Sequence, residues 1–186
     1  EDVVKQLEDD QESVVNNKPE VITTTTEVIS QENCAKLVGR CFAEATGSDL
    51  ALVSLGTWIS GNGLNQNNDC VSMKMYAGDI TVDDLSAMIP TGWTRTIQTV
   101  SLTGKQIKDL YKEGYDAVGT GNNYPYVLVS PVELEDDKTY QVAISGISEK
   151  LASETEVTDS GIVGLDAAKE FFGQFKILSE ADAEWK

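Results

Sequence analysis

Apolar residues recur at helical spacing in several stretches of the chain, with strand-like runs between them. The clearest set is Cys34, Leu37, Val38, Cys41, Phe42 and Ala45, which share one face of a helix. The spacing predicts a helix from about Asn33 to Thr46, stopped by Gly47. A looser stripe of Val3, Val4, Leu7, Val14 and Val15 predicts an earlier helix that ends before Asn16-Asn17-Lys18-Pro19. Thr81 is placed to cap a helix from Val82 to Ile89, with Asp83 and Asp84 in its first turn and Pro90 after its end. Thr103-Gly104-Lys105-Gln106 has the form of a capping box, and Ile107, Leu110, Tyr111 and Tyr115 supply the apolar face of the helix it opens. A last helix is expected near Leu165 to Gln174.

Between the helices, the β-branched run Val21 to Ile29 reads as a strand. Leu50 to Leu55 is a short apolar run, as expected for a strand covered on both faces. Further strands are expected over Thr94 to Leu102, Tyr126 to Ser130 and Thr139 to Ile144, the last two joined around Glu135-Asp136-Asp137. From Gly56 to Asp69 the composition turns to glycine and asparagine, which predicts an irregular loop. Helices and strands alternate without internal repeats, so the expected fold is a layered α/β domain.

With 186 residues, the chain is of ordinary size for one domain with a real core. Thirty-one acidic residues against 14 basic ones give a formal charge of −17. That field repels DNA, RNA and acidic membranes, while a small anion could still bind where helix N-termini or backbone N–H groups face it. No apolar stretch approaches the roughly 20 residues needed to span a bilayer. The opening Glu1-Asp2-Val3-Val4 is not a signal peptide and lies inside a helical pattern. An excised or matured piece of a longer protein is therefore expected. Cys34 and Cys41 lie about 10 Å apart along a helix and cannot bridge. Cys70, in a polar segment, could pair with either and leave one thiol over.

The chain contains no histidine, which removes serine triads, cysteine–histidine dyads and most zinc or two-metal centres. Many carboxylates are present, but none is marked out in an apolar setting as a glycosidase pair requires. No catalytic residue and no metal ligand is expected. Asn65, Asn67 and Asp69 alternate oxygen-bearing side chains without the glycine and glutamate of a calcium loop, which leaves a solvated turn. Gly61-Asn62-Gly63 offers only two glycines of a dinucleotide fingerprint. Trp58 and Trp93 lie near glycines in loop-like stretches, and Tyr124-Pro125-Tyr126 follows another glycine-rich turn. These rings could stack on a base or a sugar, or cover the core beneath the loops.

The order of short motifs resembles the C-terminal domain of the 5′-nucleotidase family. Leu37-Val38-Gly39 and Thr46-Gly47-Ser48-Asp49-Leu50-Ala51-Leu52-Val53 resemble its start. Gly78-Asp79-Ile80-Thr81-Val82-Asp83-Asp84-Leu85, Ile89-Pro90 and Leu102-Thr103-Gly104-Lys105-Gln106-Ile107 follow in the family's order, and Lys138-Thr139-Tyr140-Gln141-Val142-Ala143 is similar to its late strand. The resemblance runs from roughly Val21 to Phe172. It implies a layered α/β/β/α domain with mixed sheets over residues 19–186, preceded by an interdomain connector helix over 1–18. It further implies recognition of the nucleoside part of a nucleotide, with two divalent metals and the phosphate chemistry in an N-terminal metallophosphatase domain in cis. This chain alone would not be an enzyme and would hold no cofactor. A secreted or cell-surface location is implied as well.

The family's binding motifs fall on altered residues. Its strand-end asparagine, variable residue, glycine, glycine, isoleucine, arginine corresponds to Ser54-Leu55-Gly56-Thr57-Trp58-Ile59. Its clamp phenylalanine after leucine-proline corresponds to Thr91, the second clamp ring falls near Ile147, and the glycine-glycine-aspartate-glycine motif has no counterpart in Ser148 to Glu156. Each lost stacking or charge-assisted contact removes roughly 1–3 kcal/mol of recognition. Ser54, Gly56, Thr57, Trp58, Thr91, Trp93 and Tyr124 are accordingly the expected small-molecule contacts, with the tryptophans as a replacement stacking platform. The alternative expectation is a non-enzymatic adhesion or binding module that kept the fold and lost nucleotide binding.

Overall fold

The β-branched run at Val21 forms a strand of only five residues, β1 (Val21–Thr25). The chain then bends, and Ile29 makes an isolated bridge to Met75. The computed structural model describes residues 19–59, 63–65, 70–88, 95–116 and 123–185. The connector helix expected over 1–18 lies outside them.

Helix α1 (Gln31–Thr46) buries Cys34, Leu37, Val38, Cys41 and Phe42 of the face that the sequence predicts, while Ala45, in its last turn, is exposed. Its ends are set locally: the Ser30 hydroxyl accepts from the Asn33 N–H, and Gly47 takes the left-handed conformation at φ 66°. The Glu180 carboxylate also accepts from the Ser30 N–H at 3.0 Å and from the Asn33 amide at 3.1 Å. Those bonds, the Ser30 one foremost, hold the Glu180 carboxyl below the usual glutamate range. A depressed folded-state value adds stability above the unfolded value and loses it as pH falls through the folded one. The melting temperature should therefore fall between about pH 5 and about pH 3, and Glu180→Gln should flatten part of that slope. Thermal melts of both proteins across the range check this, and parallel slopes would refute it.

The strands that follow are β2 (Leu50–Leu55), β3 (Thr57–Ile59), β4 (Gly63–Asn65), β5 (Cys70–Val71) and β6 (Gly78–Thr81). Helix α2 (Val82–Met88) leads towards β7 (Thr96–Thr103) and α3 (Gly104–Glu113). Then come β8 (Tyr115–Asp116), β9 (Asn123–Tyr124), β10 (Tyr126–Val129), β11 (Thr139–Ser145), α4 (Glu149–Glu154), β12 (Val157–Val163) and α5 (Gly164–Phe172). A 3-10 turn at Glu180–Ala183 closes the described chain. Both expected helix starts carry reciprocal caps: Thr81 with Asp84, and Thr103 with Gln106.

The main sheet is mixed, in the order β10-β2-β11-β7-β12, with β5 added beside the end of β2. β2 runs parallel to β11 and β5, whereas β10, β7 and β12 join antiparallel. Alternation along β2 sends Ala51 and Val53 into one core cluster and Leu50 and Leu52 into another. The first cluster packs α1, α2 and α5 on one face, together with Ile80 of the two-stranded β1–β6 ribbon. The second packs Ile107 of α3, Leu151 of α4 and the rings of Tyr124, Tyr126 and Tyr140 on the other. A mixed sheet with helices on both faces is the expected α/β class.

Several local expectations are corrected. The stretch Gly56–Asp69 is not wholly irregular, because β3 and β4 pair antiparallel, Thr57 opposite Asn65 and Ile59 opposite Gly63. Gly63 and Asn65 stand in the second strand of that pair. Tyr111 does not share the apolar face of α3: it is 53% exposed, while Ile107 is buried. Cys70 is not in a solvated segment. Its strand extends the sheet, and it is fully buried on the face opposite Cys34 and Cys41, so the sheet separates the thiols and none is in a disulfide. Burial pushes the Cys34 thiol up to about 11 and Cys41 higher still.

Candidate functional site

The carboxyl ends of the parallel strands β2 and β11 lie side by side, with Val53 opposite Ser145. Because β10 and β7 run the other way, their first residues reach the same edge: Tyr126 lies opposite Ser54, and Gln98 opposite Ile144. The segments after β2, after β11, before β7 and before β10 therefore meet at one end of the sheet. In open α/β sheets this is where ligands bind.

This edge is tied down by short-range bonds. The Gly56 N–H donates to Val71 O at 2.8 Å, and the Leu55 N–H to Pro125 O at 2.8 Å. The Gln31 side-chain amide, at the first turn of α1, donates to both Gly56 O (2.9 Å) and Val71 O (2.8 Å). The Tyr126 hydroxyl donates to Gly146 O, whose residue turns at φ 83° where a side chain would be strained. The Ser54 hydroxyl donates to the Cys70 sulfur at 3.3 Å. These bonds join β2, β5, β10, β11 and α1 into a fixed rim.

Beside the rim, over β7, β11 and β12, opens a cavity of about 600 Å³, lined by Arg95, Gln98, Gly146, Ile147, Val157 and Asp159 among others. Its volume suits a small organic ligand. Arg95 is one of only two arginines in the chain, and its carbonyl accepts from the Gly164 N–H at 3.2 Å. The Asp159 carboxyl is held below the usual range by a hydrogen bond from the Thr96 side chain and another from the Gly161 N–H. It is thus an ionised acceptor rather than an acid. A guanidinium, a carboxylate and an amide around an apolar wall of Ile144, Ile147 and Val157 can hold a polar molecule. Among the described residues no three acidic or thiol groups converge as a metal site would need.

Of the expected contacts, Ser54, Gly56 and Tyr124 are at this end of the sheet, but all three are buried and Tyr124 is only 3% exposed. Thr57 and Trp58 have their backbone in β3, directly after the rim, and their side chains lie outside the described residues, as do Thr91 and Trp93 altogether. Ile147, at the position of the second clamp ring, lines the cavity. Sequence reasoning misses Arg95, Gln98 and Asp159. The scarcity of arginine is the one signal that could have singled out Arg95.

Residues 11–130 match the family model described as 5′-nucleotidase, C-terminal domain. The chain belongs to that family. Among solved structures, this 5′-nucleotidase C-terminal domain is similar to a 5′-nucleotidase precursor from Thermus thermophilus, at 15% identity and TM-score 0.61, covering 90% of this chain and 39% of that one. It is also similar to the NAD nucleotidase of Haemophilus influenzae, at 10% identity and TM-score 0.58, covering 94% and 39%. A third is the sulfate thiohydrolase of Thermus thermophilus, at 15% and 0.54, covering 95% and 36%. The likeness is one of fold, and the chain spans about two fifths of the length of each. No curated protein matches it in sequence.

Proposed function

We propose that this chain is the substrate-recognition domain of a 5′-nucleotidase-like phosphohydrolase of nucleotide breakdown, non-catalytic by itself. The observation that carries the reading is the cavity at the carboxyl end of the sheet, where Arg95 and Asp159 supply opposite charges around an apolar wall that includes Ile144, Ile147 and Val157. An N-terminal metallophosphatase domain in cis would hold the divalent metals and cleave the phosphate. The family match and the coverage of about two fifths of longer relatives support that division. A secreted or cell-surface location accords with the relative named as a precursor. Among the described residues no helix is long and apolar enough to cross a membrane.

Fold does not fix the ligand, since the structural relatives include nucleotidases and a sulfate thiohydrolase. Titration of adenosine, AMP and a nucleotide sugar against tryptophan fluorescence tests the reading. A saturable response is expected, lost on Trp58→Ala or Trp93→Ala if those rings stack. Arg95→Gln should weaken AMP about tenfold or more and adenosine far less, as loss of a charge-assisted contact requires. No response at millimolar ligand would sink the proposal and favour the adhesion module, the second reading that Ile59 and Thr91 at the family's arginine and phenylalanine positions suggest.

A further inference from the structure

On the opposite face from α1, helices α3 and α4 frame a second cleft of about 430 Å³. Its floor is apolar: Leu102 and Leu151 are buried, and Leu110 is half-buried beside them. Its rim carries Asp109, Glu113, Glu149 and Glu154, all exposed, against Lys150 as the one cation in its lining. Lys150 spans the cleft to Glu113 at 3.5 Å.

The placement of Glu154 works against local stability, whereas Glu113 is partly offset by Lys112 in the same turn and by Lys150. Glu113 ends α3 and Glu154 ends α4, where the exposed carbonyls of a helix terminus already carry partial negative charge and favour cations. α4 has no basic residue in its last turn. Lys105 pairs with Asp109 at 3.1 Å, but four acids against the one lysine of the lining leave the rim net negative over an apolar floor, which complements a cationic group with an apolar stem. A bare metal ion does not suit: among the described residues no three acidic groups converge closely enough, and leucines would line its bed. A long aliphatic stem ending in a positive charge fits both features, with the methylenes on Leu110 and Leu151 and the head at the rim.

We infer that the α3–α4 cleft docks a lysine- or arginine-bearing apolar segment of a partner protein. The site is separate from the cavity at Arg95 and does not depend on nucleotide recognition. The test is an NMR titration of the isotope-labelled chain with acetyl-Leu-Lys-Leu-Arg-Leu-Lys-amide, and with the same peptide carrying glutamate at its three basic positions. Amide shifts from the basic peptide should concentrate on residues 106–114 and 148–155 and fade at high salt. The glutamate peptide should cause none. Glu113→Gln with Glu154→Gln should weaken binding about three- to tenfold, with the urea midpoint of the double variant unchanged, so that unfolding does not explain the loss. Shifts scattered over the acidic surface, equal shifts from the glutamate peptide, no shifts, or the same shifts from calcium alone would each overturn the inference.

Discussion

Replacing Gly104 by alanine is expected to lower the stability of the protein by about 3 kcal/mol, read as a fall in the urea midpoint at unchanged slope. Gly104 is the first residue of α3, and a Cβ built on it would lie 2.1 Å from Glu135 O and 2.8 Å from Glu135 C. Both neighbours are backbone, so no rotamer change relieves the clash and the turn at 135–138 must move. That turn is held by the same residues: the Gly104 N–H donates to Lys138 O at 2.9 Å, and the Lys105 N–H to Asp136 O at 3.1 Å. Lys108 adds bonds to Leu134 O and to the Asp136 carboxylate, which holds that carboxyl below its usual range. Alanine's better helix propensity returns at most about 1 kcal/mol, so the loss dominates. An unchanged midpoint would show that the turn slides freely over α3.

Gly104 also shows what can be read from sequence and what cannot. The capping box at Thr103 and Gln106 depends on four consecutive residues, so pattern alone locates the start of α3. The stripe that defines α1 is similarly local, with Ser30 and Gly47 marking its ends. The close approach of residue 135 is not local, and no pattern near 104 announces it. α4 escapes the pattern because six residues with one buried leucine carry no period. β12 escapes it because it is an edge strand, exposed along Thr158 and Asp159, with a register shift before Val163 and Gly161 at φ 73°.

The candidate site divides along the same line. Ser54, Gly56 and Ile147 can be placed because they lie at or just after the ends of strands that the family order of motifs locates. Arg95 and Asp159 line one cavity only because β12 pairs with β7, with Asp159 opposite Gln98 and Val163 opposite Thr96. Their meeting depends on two strands separated by about 60 residues of chain. Without β12, Asp159 is one carboxylate among many.

Phe172→Ala should have the other large effect, about 3–5 kcal/mol. Phe172 is fully buried in the cluster that joins α5 to α1 and the sheet, and its ring meets Phe171 edge-on at a centroid distance of 5.3 Å. Phe171 in turn meets Phe175 and lies under the Arg40 guanidinium of α1. Removing the ring leaves a cavity bordered by helix on one side and sheet on the other, where close packing limits collapse. Since folded domains commonly have only about 5–15 kcal/mol in hand, the variant should unfold at a much lower urea concentration. The effect also reaches the ligand cavity. α5 starts at Gly164, whose N–H holds the Arg95 carbonyl at 3.2 Å, so loosening α5 frees the backbone that seats Arg95. Amide exchange at Gly164 should therefore accelerate in Phe172→Ala under conditions where the variant is still folded, while exchange in β2, buried between the two clusters, follows global unfolding alone. Equal protection of Gly164 in both proteins would uncouple the α5 packing from the site.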